Sequence, residues 1–360
     1  MSDISRVVVG LSGGVDSAVA AYLLKEQGYQ VIGVTLRTWQ AESGAYSRCC
    51  DISDARRTAM QLDIPFYNVN SLPEFKEHVT EPFIKAYLNG LTPNPCVACN
   101  RHIKWEKLLS FADEINAEYI ATGHYARVVR AENGRYTVKQ AAYSAKDQTY
   151  MLYQLSQEQL ARTLMPLADL TKEEVRDIAK SAGLDVAGKQ DSQEICFVLD
   201  GGYAEYIDAH VDGKLPPPGD FVDEDGNVLG RHKGIVNYTV GQRKGLGIAL
   251  GYPAYVKRID PENNTVVLGN EDSVMKSRIL CGDLNFMAVE DVAKGEKLRA
   301  FVKIRYHHAA APAYLERIDD NMISVTFDEP VKAPAPGQSA VFYDSENRVT
   351  GGGIIQKDIQ

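Results

Sequence analysis

Eight residues near the N-terminus, Gly10, Leu11, Ser12, Gly13, Gly14, Val15, Asp16 and Ser17, constrain this chain more than any other stretch, because they join the apolar run RVVV to an amphipathic segment. An apolar run, a glycine-rich turn and then a helical period describe a strand feeding directly into a helix. Gly13 and Gly14 permit a tight turn and a close backbone approach, while Ser12, Ser17 and the first helical amides aim donors at one point. Such a nest binds an anion. It lacks the lysine of G-x-x-x-x-G-K-[ST] and is not G-x-G-x-x-G, which disfavours the common NTPase and dinucleotide readings. Residues 6–10, 17–27 and 30–36 read as strand, helix and strand, with Gly28 ending the helix.

Further helices are expected at residues 52–62, 73–88, 105–115 and 171–182, the last opened by a Thr171/Glu174 capping box, and strands at 119–122 and 136–140. Alternating strands and helices predict an α/β fold whose first part is a doubly wound parallel sheet. Near Asp200 the texture changes, with three consecutive prolines at 216–218, and helical periods almost vanish. A small β-rich module follows, with a tight turn at Asp225-Gly226 and strands near 235–240, 254–259 and 265–268. Alternating runs at 297–306, 313–318, 322–327 and 340–343 then suggest a C-terminal β-barrel. The expected domains are residues 1–203, 204–272 and 273–360.

Lysine and arginine total 39 against 48 acids, a net charge of −9, which argues against indiscriminate binding to nucleic acid or anionic membranes. No apolar run reaches the roughly 18 residues of a membrane helix and no signal segment opens the chain, so a cytoplasmic protein with no membrane partner is expected. Local charge differs from the mean: between residues 227 and 259 there is no acid, yet Arg231, Lys233, Arg243, Lys244, Lys257 and Arg258 are present, a plausible RNA-facing surface.

Six cysteines in 360 residues are too few for a disulfide scaffold, so each thiol is judged singly. Cys96 and Cys99 lie on a proline-broken loop before a helix with Arg101, His102 and Lys104 at its start. Three readings stand: a zinc half-site still short of two ligands, a redox pair, or a reactive thiolate at Cys99 whose pKa the basic residues and the helix N-terminus depress. Cys196, between Ile195 and Phe197, reads by itself as a small core residue, and Cys49, Cys50 and Cys281 as structural. Leu36 and Gly123 fall at strand ends beside the nest, where open α/β sheets bind ligands, and His124 follows directly.

The GLSGGVDS loop resembles the PP-loop signature of the ATP pyrophosphatase superfamily, which has an adenine nucleotide alpha hydrolase-like sheet. Taken in order, LSGGVDS, TPNPCVACNRHIKW, ATGHYARV, KDQTYMLY, DSQEICF, YTVGQRKGLGI, PGQ and GGGII resemble the tRNA-specific 2-thiouridylase family over essentially the whole chain. The resemblance implies a tRNA-uridine 2-sulfurtransferase that uses ATP and magnesium to adenylate the carbon-2 oxygen of the wobble uridine. Sulfur then arrives from a cysteine persulfide, charged by a sulfur-donor protein. It implies Cys99 as nucleophile, Cys196 as persulfide carrier, and Asp16 as the group that helps hold magnesium. ATP contacts would fall on residues 10–17, Leu36 and Gly123. Asn94, Pro95 and Cys96 would face the target base, and Lys146, Asp147, Gln148, His124, Arg305, Tyr306 and Gln338 the tRNA. Many members of the family carry aspartate where this chain has Cys96, which here places two thiols on one loop. Two rivals remain on the residues alone: a ligase that adenylates a small carboxylate or carbonyl, and a non-catalytic RNA-binding or sulfur-carrier protein.

Overall fold

The computed structural model of the chain describes residues 4–39, 51–190, 195–198 and 202–357. Cys49, Cys50 and residues 191–194 of the DSQEICF motif lie outside them. In chain order the elements are β1 (Arg6–Gly10), α1 (Val15–Glu26), β2 (Gln30–Arg37), α2 (Ile52–Gln61), β3 (Phe66–Asn70), α3 (Leu72–Phe75), α4 (Glu81–Leu88), α5 (Pro95–Cys99) and α6 (Glu106–Glu114). There follow β4 (Tyr119–Ala121), β5 (Ala126–Arg130), β6 (Tyr136–Gln140), α7 (Gln157–Ala161), β7 (Thr163–Leu164), α8 (Lys172–Ser181) and α9 (Tyr203–His210). The remainder is β8 (Asp220–Val222), β9 (Val228–Arg231), β10 (Tyr255–Asp260), β11 (Thr265–Gly269), β12 (Met275–Phe286), β13 (Lys297–Lys303), β14 (Ala311–Arg317), β15 (Ile323–Lys332), β16 (Ser339–Tyr343) and β17 (Val349–Ile355). The chain divides into two compact units, one of Met1–Val79, Cys96–Leu199 and Glu346–Val349, the other of Thr80–Pro95, Asp200–Ser345 and Thr350–Gln360.

The first unit is built on a parallel sheet of order β3-β2-β1-β4-β7. Its central strand carries Val7, Val8 and Val9, all fully buried, because a sheet covered on both faces has no solvent side for a polar residue. Each such side chain contributes about 1.5–3 kcal/mol of burial. In α1 the small residues Ala18, Ala20 and Ala21 are buried beside Val19, which lets the helix backbone lie close to the sheet. The chain lays β2 and β3 on one side of β1 and then returns to place β4 on the other. That reversal is a topological switch point, and the crevice beyond the carboxyl ends of β1 and β4 is where such sheets bind ligands. The Thr171/Glu174 capping box forms as expected.

The helix expected over residues 73–88 is broken into α3, a π-helical turn Lys76–Thr80, and α4. Pro82 has no N–H to donate to the carbonyl of His78 four residues earlier, so the turn before it cannot close as regular α-helix. A second π-helical segment, Asn100–Trp105, separates α5 from α6.

In the second unit, β8 and β9 form the hairpin expected around Asp225-Gly226, in a sheet of order β10-β11-β8-β9. Six strands close a barrel of order β12-β15-β14-β13-β16-β17 around Val302, Ile304, Leu315, Val325 and Phe342. β17 closes it through VTGGGII: a Cβ at Gly351 would lie 2.5 Å from the carbonyl oxygen of Asn285 on β12. The strand expected near 235–240 is absent; Ile235–Asn237 is a 3-10 turn. Nδ1 of buried His232 accepts hydrogen bonds from the Gly219 and Gly234 N–H groups at 3.3 and 3.0 Å, which curls the backbone before a strand can start. Apolar residues remain at 235, 236, 238 and 240 because the turn is buried.

Candidate active site

The loop between β1 and α1 is held at each step. The Leu11 N–H donates to Val34 O at 2.8 Å and its carbonyl accepts from the Thr35 hydroxyl at 2.7 Å, fixing the loop to β2. The Ser12 N–H donates to Ser17 Oγ at 3.1 Å, the Ser17 hydroxyl donates to Gly14 O at 3.1 Å, and the two hydroxyls lie 3.1 Å apart. Gly13 has φ of 76°, and a Cβ there would lie 2.6 Å from Asp51 O. Gly123, two residues beyond β4, packs equally closely on the start of α1: its Cβ would meet Ser17 N at 2.6 Å and Asp16 C at 2.7 Å. The loops leaving β1 and β4 therefore touch, and α1 presents its N-terminal amides and dipole to the crevice, a setting that favours an anion. Leu36, one residue before the end of β2, is buried.

Two ammonium groups reach this loop from distant sequence. Lys172 Nζ lies 2.6 Å from Asp16 Oδ1, and the Tyr125 hydroxyl donates to the same oxygen at 2.8 Å. Lys189 Nζ donates to Gly13 O at 3.1 Å and to the carboxylates of Asp51 and Asp54 at 3.0 and 2.6 Å. Burial tends to raise the Asp51 pKa, yet the Asp54 N–H and the Lys189 ammonium hold it below the usual value. The sequence reading missed Tyr125, Lys172, Lys189, Asp51 and Asp54. One signal was available: Lys172 is the first residue of α8, where a cation opposes the helix dipole and so calls for a compensating acid.

Cys96, Cys99, Cys196 and Cys281 are thiols. Cys99 is buried at the end of α5, at the start of the π-helical segment Asn100–Trp105, and widened turns of this kind occur often at functional sites. That segment packs on α3. Cys196 is half-buried, and its neighbour Phe197 meets Phe75 of α3 edge to face at 5.7 Å. Both thiols thus adjoin residues packed on the same short helix. Cys281 is buried in the barrel wall and its thiol is pushed up by burial, which leaves it inert.

The π-helical segment also links Cys99 to the end of β4. Trp105 lies against the His124 ring at 5.4 Å and donates from Nε1 to the Thr163 hydroxyl at 2.8 Å, and His124 Nδ1 is 2.8 Å from Thr122 Oγ1. Burial, and secondarily the Lys104 ammonium, hold the His124 pKa well below the ordinary value, so the ring is neutral. Cys96 is exposed as a residue, yet the chain around its thiol pushes its pKa up, Lys104 pulling it back. His102 is stacked on His78 at 5.0 Å and lies 3.3 Å from Glu106. Among the described residues no cluster of three or more His, Cys, Asp or Glu side chains is placed to hold a metal ion, so the zinc reading of Cys96 and Cys99 gains no ligands.

Of the residues read as tRNA-facing, Asp147 is buried and accepts from the Thr149 hydroxyl at 2.8 Å. Gln148 brackets Tyr125, donating to its carbonyl at 3.0 Å and accepting from its N–H at 2.9 Å. Lys146 ends a 3-10 turn, Ser144–Lys146. In the second unit, Gln338 donates to Thr92 O at 2.8 Å, two residues before Asn94. Arg305 folds onto the carbonyls of Val240 and Ala333, with Tyr306 beside it. The acid-free stretch is less basic than its sequence: Arg231, Lys257 and Arg258 pair with Asp220, Glu224 and Asp260. Lys233, Arg243 and Lys244 are exposed, and Arg243 lines a cavity of about 450 Å³ together with Leu246, Ile248 and Tyr252.

Three family models match in series: a tRNA methyl transferase HUP domain over residues 5–200, a tRNA methyl transferase PRC-barrel domain over 204–270, and an aminomethyltransferase beta-barrel domain over 276–355. Curated relatives include a tRNA-specific 2-thiouridylase of Lachnoclostridium phytofermentans, 53% identical over 358 residues that span 98% of this chain and 99% of that protein. Those of Acetivibrio thermocellus and Clostridioides difficile strain 630 are 50% and 49% identical, each over 98% of this chain and 99% of their own. The models' descriptions speak of methyl transfer, the relatives' names of thiolation.

Proposed function

Because the chain belongs to the tRNA-specific 2-thiouridylase family, we propose that it replaces the carbon-2 oxygen of the tRNA wobble uridine with sulfur at the expense of ATP. What supports this reading is that Cys99 and Cys196 each adjoin residues packed on α3, in the same unit as the glycine-rich loop. A methyl transferase needs an electrophilic methyl donor and has no use for an anion nest and two thiols in one unit.

A uracil carbonyl is a poor leaving group, and adenylation makes it a good one. The uridine oxygen attacks the α phosphate of ATP and pyrophosphate leaves. The loop at residues 10–17, Leu36 and Gly123 bind the nucleotide, with the α1 amides facing the charge that develops on the departing phosphates. Asp16 suits magnesium held jointly with phosphate oxygens, because that ion is commonly bound by one or two carboxylates plus substrate phosphates. Bound there, the ion would neutralise phosphate charge. Lys172 and Tyr125 fix the Asp16 carboxylate in place.

The terminal sulfur of a Cys196 persulfide, supplied by a donor protein, attacks carbon 2 and AMP leaves. The Cys99 thiolate then attacks the Cys196 sulfur, breaking the bond to the transferred sulfur and leaving a Cys99–Cys196 disulfide for an external reductant. Asn94, Pro95 and Cys96 face the base, and Lys146, Asp147, Gln148, His124, Arg305, Tyr306 and Gln338 serve the tRNA; Gln148 also braces the chain at Tyr125, and buried Asp147 accepts from the Thr149 hydroxyl.

The test is nucleoside mass spectrometry after incubation of tRNA with the protein, ATP, magnesium and a persulfide donor. Sulfur should replace oxygen on the wobble uridine, and Cys99→Ser and Cys196→Ser should each lower the yield at least 100-fold while tRNA-stimulated pyrophosphate release persists. Normal thiolation by both variants would defeat the sulfur-transfer assignment.

A further inference from the structure

The phosphate loop carries no lysine of its own, and the ammonium of Lys189 sits on its outer edge, 176 residues away in sequence. It donates to Gly13 O at 3.1 Å and bridges Asp51 and Asp54. The preceding carbonyl, Ser12 O, is held from the same side by the Asp51 N–H at 3.2 Å. Asp51 is itself fixed, since its Oδ1 accepts from the Asp54 N–H at 3.1 Å as the N-cap of α2.

A trans peptide sets its carbonyl and the following N–H on opposite sides. Two successive carbonyls so anchored turn the Gly13 and Gly14 N–H groups the other way, where the Gly14 N–H meets the Ser12 hydroxyl oxygen at 3.3 Å within the loop. With φ of 76°, Gly13 belongs to the left-handed region, which other peptide orientations can leave at little steric cost, so the glycine alone does not hold this arrangement. We propose that Lys189 is a positioning residue for phosphate binding: by anchoring Gly13 O against α2, it keeps the loop's amides aimed at the pyrophosphate portion of the nucleotide. This rests on the ATP reading above and adds a residue to it. The two carboxylates offset the ammonium charge, so Lys189 acts through loop geometry.

The discriminating measurement is calorimetric binding of inorganic pyrophosphate, ATP and AMP, each with magnesium, to the full chain and to Lys189→Met and Lys189→Arg. Lys189→Met should weaken pyrophosphate and ATP about 10-fold and leave AMP within twofold, because the loss is confined to the loop. Lys189→Arg, which can still donate to Gly13 O and the carboxylates, should recover most of the affinity. Unchanged pyrophosphate binding in Lys189→Met overturns the proposal. So does an equal loss for AMP, which signals general damage to the unit, and so does a Lys189→Arg variant that folds and yet binds pyrophosphate 10-fold more weakly; if Lys189→Met does not fold, Lys189→Gln replaces it with the same expected and overturning results. Failure of the unaltered protein to bind either ATP or pyrophosphate refutes the nucleotide reading itself, which is a separate outcome.

Discussion

Replacing Gly123 by alanine tests whether the loops after β1 and β4 form one nucleotide site. The new Cβ would stand 2.6 Å from Ser17 N, 2.7 Å from Asp16 C and 3.0 Å from Asp16 O, all backbone atoms that no rotamer change can move. Ordinary contact begins near 3.4 Å, so the first turn of α1 and the β4 end must separate by about 0.8 Å. Overpacking of this kind costs about 1–3 kcal/mol, and at roughly 2–4 °C per kcal/mol for a unit of this size it lowers the melting temperature by several degrees. The displaced atoms are those that carry Asp16 and the Ser17 amide, and misplacement by about 1 Å costs catalysis about 100-fold. The expected loss in tRNA-stimulated pyrophosphate release is therefore about 10- to 100-fold, with a parallel loss of ATP affinity. Gly188→Ala is the control, since a Cβ there meets nothing within 4 Å and its backbone is not left-handed. Wild-type ATP affinity and turnover in Gly123→Ala would refute the claim that these loops grip the nucleotide together.

Two further outcomes follow from the second unit. His232 is buried and neutral, its pKa depressed first by burial and then by Arg231, while Asn264 and Asp220 oppose the shift. Its contribution to stability is fully present above the unfolded histidine value of about 6.5 and is lost as pH falls through that value toward the lower folded one, because the unfolded chain takes up the proton first. Urea midpoints measured from pH 7.5 to 5 should fall more steeply for the wild type than for His232→Asn, and equal slopes would remove the buried imidazole from the account. Arg243 and Lys244 are exposed while three nearby cations are ion-paired, so the double alanine variant should lower the slope of log tRNA affinity against log salt by about 1.4–1.8, at 0.7–0.9 per phosphate contact. An unchanged slope would place the RNA elsewhere.

Elements were legible where one local rule dominated. β1 and β2 were readable because a strand covered on both faces is apolar without interruption, and α8 because its capping box is written in four residues. The break at Pro82 was also written in the sequence, but the apolar period runs through it and hides the π turn. At residues 235–240 the apolar pattern was real and the backbone conformation was not what it suggested. Just before it the His232 side chain takes the Gly234 N–H, and the chain enters a 3-10 turn. β17 escaped notice because consecutive glycines read as a loop, and what they serve is backbone contact with β12, a residue-to-residue approach across more than 60 positions.

The site divides along the same line. GLSGGVDS is local, and its identity as an anion nest needs only a strand before it and a helix after it. The groups that charge and orient that nest are not local: Tyr125, Lys172 and Lys189 reach it only because the chain reverses direction at β1 and lays β4 and the segments that follow beside the first βα turn. A loop without its own lysine therefore reads from sequence as weakly cationic, when in the folded unit it touches two ammonium groups. The acids that accompany them, Asp16, Asp51 and Asp54, explain why the lysines are tolerated near a helix start and half-buried. With three carboxylates against two ammonium groups the loop has no excess of positive charge from these side chains, so any preference for phosphate must come from the direction of its amides more than from net charge.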